Sequence, residues 1–336
     1  MSPTLQVVEC GPATGIQDGG RLGFQRQGLS PSGAMDPVAL AAANALVGNT
    51  AWEAAVELAL VGGRFRASGG PIRLALAGAP LTLRVDGTPV ADHRSFTLPD
   101  GGKLSVGPSP AGVFAYLAAR GGFAIPEQLG SRSLHARAAL GGLDGRPLRA
   151  RDRIPLRETL QAGGEHALPS LPLDAEEPLR VVLGPQADHF TPEGIARFLE
   201  STFTVSHRAD RMGIQLDGPE IAHGPQGFNI VSDATVAGSV QVPGSGRPIV
   251  LMADRQTTGG YPKIATVISA DLRRLAQRRT GQPVRFRAVE VEEAVAIARA
   301  HAAWISGLPD RLAPVLSDQE RLLRANLAGD AVDALG

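Results

Sequence analysis

The stretch ADRQTTGGYPKIATVI, residues 253–268, concentrates groups that bind and transfer charge. Asp254, Arg255, Gln256, Thr257, Thr258, Tyr261 and Lys263 follow one another closely, and Gln241 precedes them in the same polar span, 232–268. Guanidinium, amide and hydroxyl donors at this density suit a carboxylate or a developing oxyanion, and Lys263 supplies a proton carrier. Lys263 is one of only two lysines in a chain that otherwise uses arginine. A lysine withdrawn from water can titrate near neutrality. Residue chemistry therefore gives Arg255, Thr257 and Lys263 catalytic roles, with Gln241, Gln256, Thr258 and Tyr261 holding substrate. The competing reading is a turn at Thr257-Thr258-Gly259-Gly260, with Lys263 snorkelling to the surface.

Three other clusters could add to such a site. In GIQDGGRLGFQRQGLSPSGAMDP, residues 15–37, Gln17, Asp18 and Arg21 sit among glycines that permit close backbone approach to a ligand. The alternative is a buried Asp–Arg pair that ties the loop down. In LGSRSLHARAALGG, residues 129–142, Arg132 between two serines suits bidentate binding of a carboxylate or phosphate, or belongs to a plain surface loop. His135 reads as a structural histidine. In SHRADRMGIQLDGP, residues 206–219, Arg211 either points into a cleft or braces the fold.

Several common chemistries are missing. The sequence holds no Gly-x-x-x-x-Gly-Lys-Ser/Thr loop, no Gly-x-Ser-x-Gly elbow and no His-x-x-x-His pair. The single Cys10 excludes an internal disulfide and a Cys-x-x-Cys redox or metal site, which suits a reducing cytoplasm. The 33 basic and 33 acidic residues cancel, against a nucleic-acid binder steered by a broad basic field. The N-terminus has no signal-peptide pattern, and no apolar run approaches the roughly 20 residues of a membrane helix.

The elements that must position these residues read mainly as β-strands with a few helices. PIRLALAG alternates Ile72, Leu74 and Leu76 with Arg73, Ala75 and Ala77, the period of a half-buried strand. Asp86-Gly87, Asp100-Gly101 and Asp144-Gly145 mark hairpin turns. Asp36-Pro37, Thr191-Pro192 and Ser269 open helices, the first stopping at Gly48 and the last at Gly281. An alanine-rich helix follows residue 290, with Val291, Ala294, Val295 and Ala298 on its apolar face, packed against the second barrel. SDQERLLRANL starts a further helix with Ser317 and Glu320 at capping-box spacing. The Gly-, Pro- and acid-rich stretch at 158–178 reads as a seam. VFAYLAARGG (113–122) weakly echoes PIVLMADRQTTGG (248–260), as two related barrels would. The expected organisation is a barrel domain at 1–165, a linker at 166–178, a second barrel at 179–290 and a helical tail at 291–336.

GIQDGGRLGFQRQGLSPSGAMDPVALAAANALVGN, YLAARGG, LGSRS, GGLDGRPL, DRMGIQLDGP and ADRQTTGGYPKIATVI, in this order, resemble the allophanate hydrolase subunit 2 family. That family includes the C component of 5-oxoprolinase, an antagonist of a sporulation-kinase inhibitor, and part of the carboxyltransferase region of urea carboxylase. The resemblance, over roughly residues 5–290, implies two cyclophilin-like β-barrel domains and a partner, the B component, that lines a shared site. For a 5-oxoprolinase it also implies an A component and ATP, used by the whole complex to open the lactam of 5-oxo-L-proline to L-glutamate. Two other activities stay open: the carboxyltransferase component of a biotin-dependent urea or amide carboxylase, and a regulatory protein that binds a kinase inhibitor. The chain has no Met-Lys-Met biotin-attachment turn and no biotin carboxylase domain, so a complete carboxylase requires other chains. The helical tail lies outside the family pattern.

Overall fold

A computed structural model describes residues 3–157, 164–171, 173 and 176–316. The capping-box segment at 317–327 lies outside the described residues. The strands are β1 (Thr4–Cys10), β2 (Gly15–Gln17), β3 (Ala55–Ala59), β4 (Gly63–Ser68), β5 (Ile72–Gly78), β6 (Leu83–Val85), β7 (Thr88–Val90), β8 (Arg94–Leu98), β9 (Lys103–Val106), β10 (Phe114–Ala119), β11 (Arg153–Pro155) and β12 (His166–Ala167) in the first half. The second half adds β13 (Leu179–Leu183), β14 (Phe203–Ala209), β15 (Gly213–Asp217), β16 (Asp233–Ala234), β17 (Ser239–Gln241), β18 (Ile249–Leu251), β19 (Thr258–Gly259), β20 (Lys263–Val267), β21 (Pro283–Val284), β22 (Phe286–Ala288) and β23 (Ala313–Pro314). The helices are α1 (Pro37–Leu46), α2 (Pro192–Glu200), α3 (Leu272–Ala276) and α4 (Val291–Ser306). No helix among the described residues is long and apolar enough to cross a membrane.

The first half packs a six-stranded sheet, β11-β1-β4-β9-β6-β7, against a seven-stranded one, β2-β3-β10-β5-β8-β12-β23. Leu5, Val7, Phe65 and Leu104 from one sheet meet Val56, Leu74, Phe96 and Leu117 from the other. Asp86 and Gly87 take positive φ and close the β6–β7 hairpin, as the Asp-Gly pair requires. Asp144 and Gly145 do the same across the isolated pairing of Leu143 with Arg146. Asp100-Gly101 differs. Its flanking strands belong to different sheets, β8 beside β5 and β9 beside β4, so the turn is a corner between layers and not a hairpin.

β5 is buried on both faces, where alternation predicted one. Ile72, Leu74 and Leu76 enter the first-half core. Ala75 and Ala77 face the other way, into a second core that also contains α1. Small side chains let the alanine-rich helix lie close to the sheet. Asp36 caps α1 by accepting from the Ala39 N–H at 3.0 Å, Pro37 occupies the first turn, and Gly48 follows at positive φ. Every α1 residue from Val38 to Leu46 is buried. The same core continues into the second half through Val181, Phe203, Leu216, Val250 and Phe286, so α1 is packed between the halves.

The second half is a nearly closed barrel, β21-β14-β15-β18-β17-β20-β13-β22. Its two edge strands are consecutive in the chain, separated only by Arg285. The segment 283–288 pairs with β14 on one side and β13 on the other, and this draws the sheet round on itself. Thr191 caps α2 through Gly194 N–H at 3.0 Å. Phe198 of α2 stacks on Phe286 of β22, ring centres 4.5 Å apart.

The helix expected from Ser269 to Gly281 is shorter: a 3-10 turn at Ser269–Asp271 and then α3, ending at Ala276. α4 forms as expected but is turned on its axis. Val291 and Val295 are exposed, whereas Ala294 and Ile297 pack beside Ile268, Ala270 and Val289, and Ile305 is buried. Bulkier Ile297 and Ile305 set the contact stripe in place of the valines. Within the seam, His166–Ala167 pairs with β8 and β23, adding a strand where a bare linker was expected.

Two histidines flank this packing. Burial lowers the pKa of His93 and His301; Arg273 adds to the lowering in both, while Asp36 opposes it, as do Asp92 for His93 and Asp271 for His301. The folded state thus favours neutral imidazole. A depressed histidine pKa contributes stability that is present above the unfolded value, about 6.5, and is lost as pH falls through the folded value. The melting temperature is expected to drop between pH 7.5 and pH 5.5, and His301→Gln should flatten that drop. A pH-independent melting temperature over this window would contradict the assignment.

Candidate active site

The Thr257–Gly260 stretch is not a turn. Thr258 and Gly259 form β19, which pairs with Asp233 and Ala234 of β16, and neither Gly259 nor Gly260 adopts positive φ. This two-stranded ribbon brings Asp233 to Lys263. Lys263 begins β20 and is 2% exposed; its Nζ donates to Asp233 Oδ2 at 2.8 Å. Gln186 locks the pair, donating from Nε2 to the same oxygen at 3.0 Å and accepting from the Lys263 backbone N–H at 3.1 Å. The lysine bond, then Gln186 and the Ala234 N–H, hold the Asp233 carboxyl below its usual range. The buried stem and the tethered ammonium rule out free snorkelling.

Across the ladder from Lys263, Gln241 of β17 stands beside Gln256. Gln256 Nε2 donates to Gln241 Oε1 at 2.9 Å, and Gln241 Nε2 faces the Tyr261 carbonyl at 3.5 Å. Gly259 makes this possible, because a Cβ there would overlap the Gln241 amide nitrogen. Gln241, Gln256, Gly259, Gly260 and Tyr261 line a cleft of about 730 Å³, whose opposite wall is the β14–β15 hairpin with His207 and Asp210. The cleft offers amide donors and acceptors, a tyrosine, the Arg208 guanidinium and backbone groups; Lys263, Asp233, Arg255 and Thr257 are not among its lining residues, Lys263 lying on β20 beside Gln241.

Arg255, Thr257 and Lys263 are tied to different partners. Thr257 accepts the Thr235 N–H through its carbonyl at 3.0 Å, and Thr258 is exposed. Arg255 is buried and turns toward the first half, where its Nη2 meets Gln25 Oε1 at 3.3 Å. Asp233, Gln186 and Gln25 are the site residues that sequence reasoning missed. Asp233 and Gln25 lay within polar segments already singled out; nothing local marked Gln186.

The remaining candidates hold the architecture together. Asp18 accepts from Ser131 Oγ (2.7 Å), Ser133 Oγ (2.5 Å), Gly20 N–H (2.8 Å) and Arg132 N–H (2.6 Å). Arg21 donates to the carbonyls of Gln128 and Ser133 at 2.8 and 2.9 Å. Gln17 donates to Leu134 O at 3.1 Å. Arg132 donates to Ile125 O at 2.8 Å and pairs with Glu127 at 3.0 Å. Asp18 and Arg21 thus staple loop 15–37 to loop 128–134, each through the facing loop. Arg211 braces the two halves. Its Nε and Nη2 grip Asp254 at 2.8 and 2.9 Å, Nη1 reaches Glu57 at 2.5 Å, and Nη2 reaches Gly33 O at 2.7 Å. Burial alone would lower its pKa, but Glu57 and Asp254 outweigh that and keep it raised. Glu57 in turn accepts from the Tyr116 hydroxyl at 2.6 Å, and that oxygen accepts the Asp36 N–H at 3.0 Å. Asp36 binds Arg273 at 3.1 Å and Gln277 at 2.9 Å.

Residues 27–288 match the carboxyltransferase domain, subdomain A and B. The chain belongs to this carboxyltransferase family. Within it, the chain is 35% identical over 305 residues to the C subunit of 5-oxoprolinase from Haemophilus influenzae, covering 90% of this chain and 96% of that one. It is 37% identical over 297 residues to the corresponding 5-oxoprolinase C subunit of Escherichia coli, covering 87% and 93%. Among solved structures, Kluyveromyces lactis urea carboxylase superposes with a TM-score of 0.84 at 27% identity, over 95% of this chain and 30% of that one. The carboxyltransferase family match includes β14 through β20, and hence the whole cleft.

Proposed function

We propose that this chain is the C component of an ATP-dependent 5-oxoprolinase, acting with A and B components to open the lactam of 5-oxo-L-proline to L-glutamate. The observation that carries this reading is the near end-to-end match, at 35% and 37% identity, with two chains named as the C subunit of 5-oxoprolinase. A lactam amide is a poor electrophile, and ATP supplies the energy to convert its oxygen into a leaving group. This chain does not suit the nucleotide: it lacks a Gly-rich phosphate loop, and the Lys263 ammonium is already paired with Asp233. Nucleotide handling falls to the partners.

In this reading the cleft receives the activated lactam. The Gln241–Gln256 pair orients it by hydrogen bonding, and Lys263, poised by Asp233 and Gln186, stabilises charge on the opening ring and carries a proton. Arg255 holds the substrate carboxylate. Preorganised donors of this kind lower barriers because they need no rearrangement as charge develops.

A second reading has support from the urea carboxylase superposition: the cleft takes a carboxyl group delivered on biotin by another chain. Reconstitution separates them. The purified chain is combined with its A and B homologues, 5-oxoproline and ATP. Glutamate that forms only when all three chains are present supports the first reading. No glutamate from three folded chains, with biotin-dependent carboxylation of urea or an amide, supports the second.

A further inference from the structure

Arg255 differs from several other buried or half-buried arginines. Arg211 faces two carboxylates, Arg273 faces Asp36, and Arg180 binds Asp271 at 2.6 Å. Arg21 lacks a direct carboxylate and its Nη1 is buried without a partner, but its Nε and Nη2 bind loop carbonyls and Asp18 acts against the effect of burial on it. Arg255 is only 7% exposed, and no acidic side chain forms an ion pair with it among the described residues. Its Nε is buried without a hydrogen-bond partner. Nη1 has only the Met252 carbonyl at 3.5 Å, and Nη2 has only the Gln25 amide oxygen at 3.3 Å. Burial lowers its pKa with no neighbouring charge acting against it.

A buried cation without a counter-ion is strongly unfavourable, and folds keep one where something else supplies the anion. Gln25 is the residue in that place. It lies on the first-half loop 15–37, is half-buried, and is held by its own Nε2 donating to Thr235 O at 2.7 Å. That bond aims the opposite end of the amide, a neutral acceptor, at the guanidinium. The contact spans the two halves and sits one residue before Gln256 of the cleft.

We propose that Arg255 and Gln25 form a subsite for a small carboxylate, with the Gln25 amide oxygen occupying the anion position until ligand displaces it. The subsite deepens the 5-oxoprolinase reading, on which the identity of the ligand rests, since 5-oxo-L-proline carries one carboxylate. The first half of the chain completes it: the loop around Gln25 decides whether an anion reaches Arg255.

Gln25→Glu tests this directly, because a built-in carboxylate satisfies Arg255 and fills the subsite. Thermal unfolding of the full chain is followed with 5-oxo-L-proline, with acetate, and with 2-pyrrolidinone, the same lactam without the carboxylate. The wild-type chain is expected to gain roughly 2 °C or more at ten times the dissociation constant of 5-oxoproline, and nothing from 2-pyrrolidinone. Gln25→Glu should melt higher without ligand and gain nothing from either anion. Arg255→Gln, which removes the charge, should stay folded and also lose the response. Protection by acetate that Gln25→Glu abolishes, with none by 5-oxoproline, keeps the carboxylate subsite and overturns the lactam reading. The subsite itself is overturned if no anion protects the wild type, or if Gln25→Glu responds as the wild type does.

Discussion

Lys263→Met is expected to cut turnover of the assembled enzyme by about 10²–10³-fold while leaving this chain folded, the loss typical of removing one charge-stabilising donor. Methionine keeps the aliphatic stem that is buried at the start of β20. The partner it abandons, Asp233, is 49% exposed, retains its bond from Gln186 and can be rehydrated. Structure and chemistry therefore separate at this position. The check is kcat of the reconstituted complex beside a thermal melt of the variant. A normal kcat, or a chain that no longer folds, would remove Lys263 from the chemistry.

Arg211→Ala should have the opposite signature, a large stability loss. It strips the cation from between Glu57, which is 1% exposed, and Asp254, at 11%. Breaking a buried pair by removing one member costs about 3–5 kcal/mol, because the carboxylates left behind are uncompensated. Against a typical total of roughly 5–15 kcal/mol, that is a large share. Arg211→Lys should recover part of it, since an ammonium restores the charge but not the fork that meets Asp254 with two nitrogens. Urea unfolding of both variants is the measurement. A loss below about 1 kcal/mol for the alanine variant would show that the halves are not held together here.

These two arginines, Arg211 and Arg255, sit in similar stretches of sequence, and nothing local told them apart. Arg211 acquires its bracing role from Glu57, 154 residues away, and Arg255 meets only a neutral amide from Gln25, 230 residues away. Local signals were legible wherever the physics is local. Asp36-Pro37 and Thr191-Pro192 opened helices because a capping oxygen and a fixed φ act within one turn. Asp86-Gly87 closed a hairpin because both residues tolerate positive φ. The turn at Asp100-Gly101 was equally readable, but which sheet each flanking strand joins depends on partners far along the chain. Alanine at Ala75 and Ala77 was ambiguous, since a small side chain suits either a solvent face or a tightly packed one. Within 254–263 the structure has a strand pairing at Thr258–Gly259 and a tethered Lys263 where the competing reading had a turn. The carboxylate that pairs with Lys263, Asp233, was overlooked because the pairing of β16 with β19 leaves almost no mark in two-residue strands.

The position of α1 has a consequence for how the protein comes into being. A nascent chain emerging from the ribosome can assemble the first two sheets early, and they cover one side of the helix. The other side waits for α3, α4 and the barrel that follow. At ordinary synthesis rates that delay is on the order of ten seconds or longer. During it, a run of valine, leucine and alanine lies open to solvent, an invitation to chaperones and to neighbouring polypeptides alike.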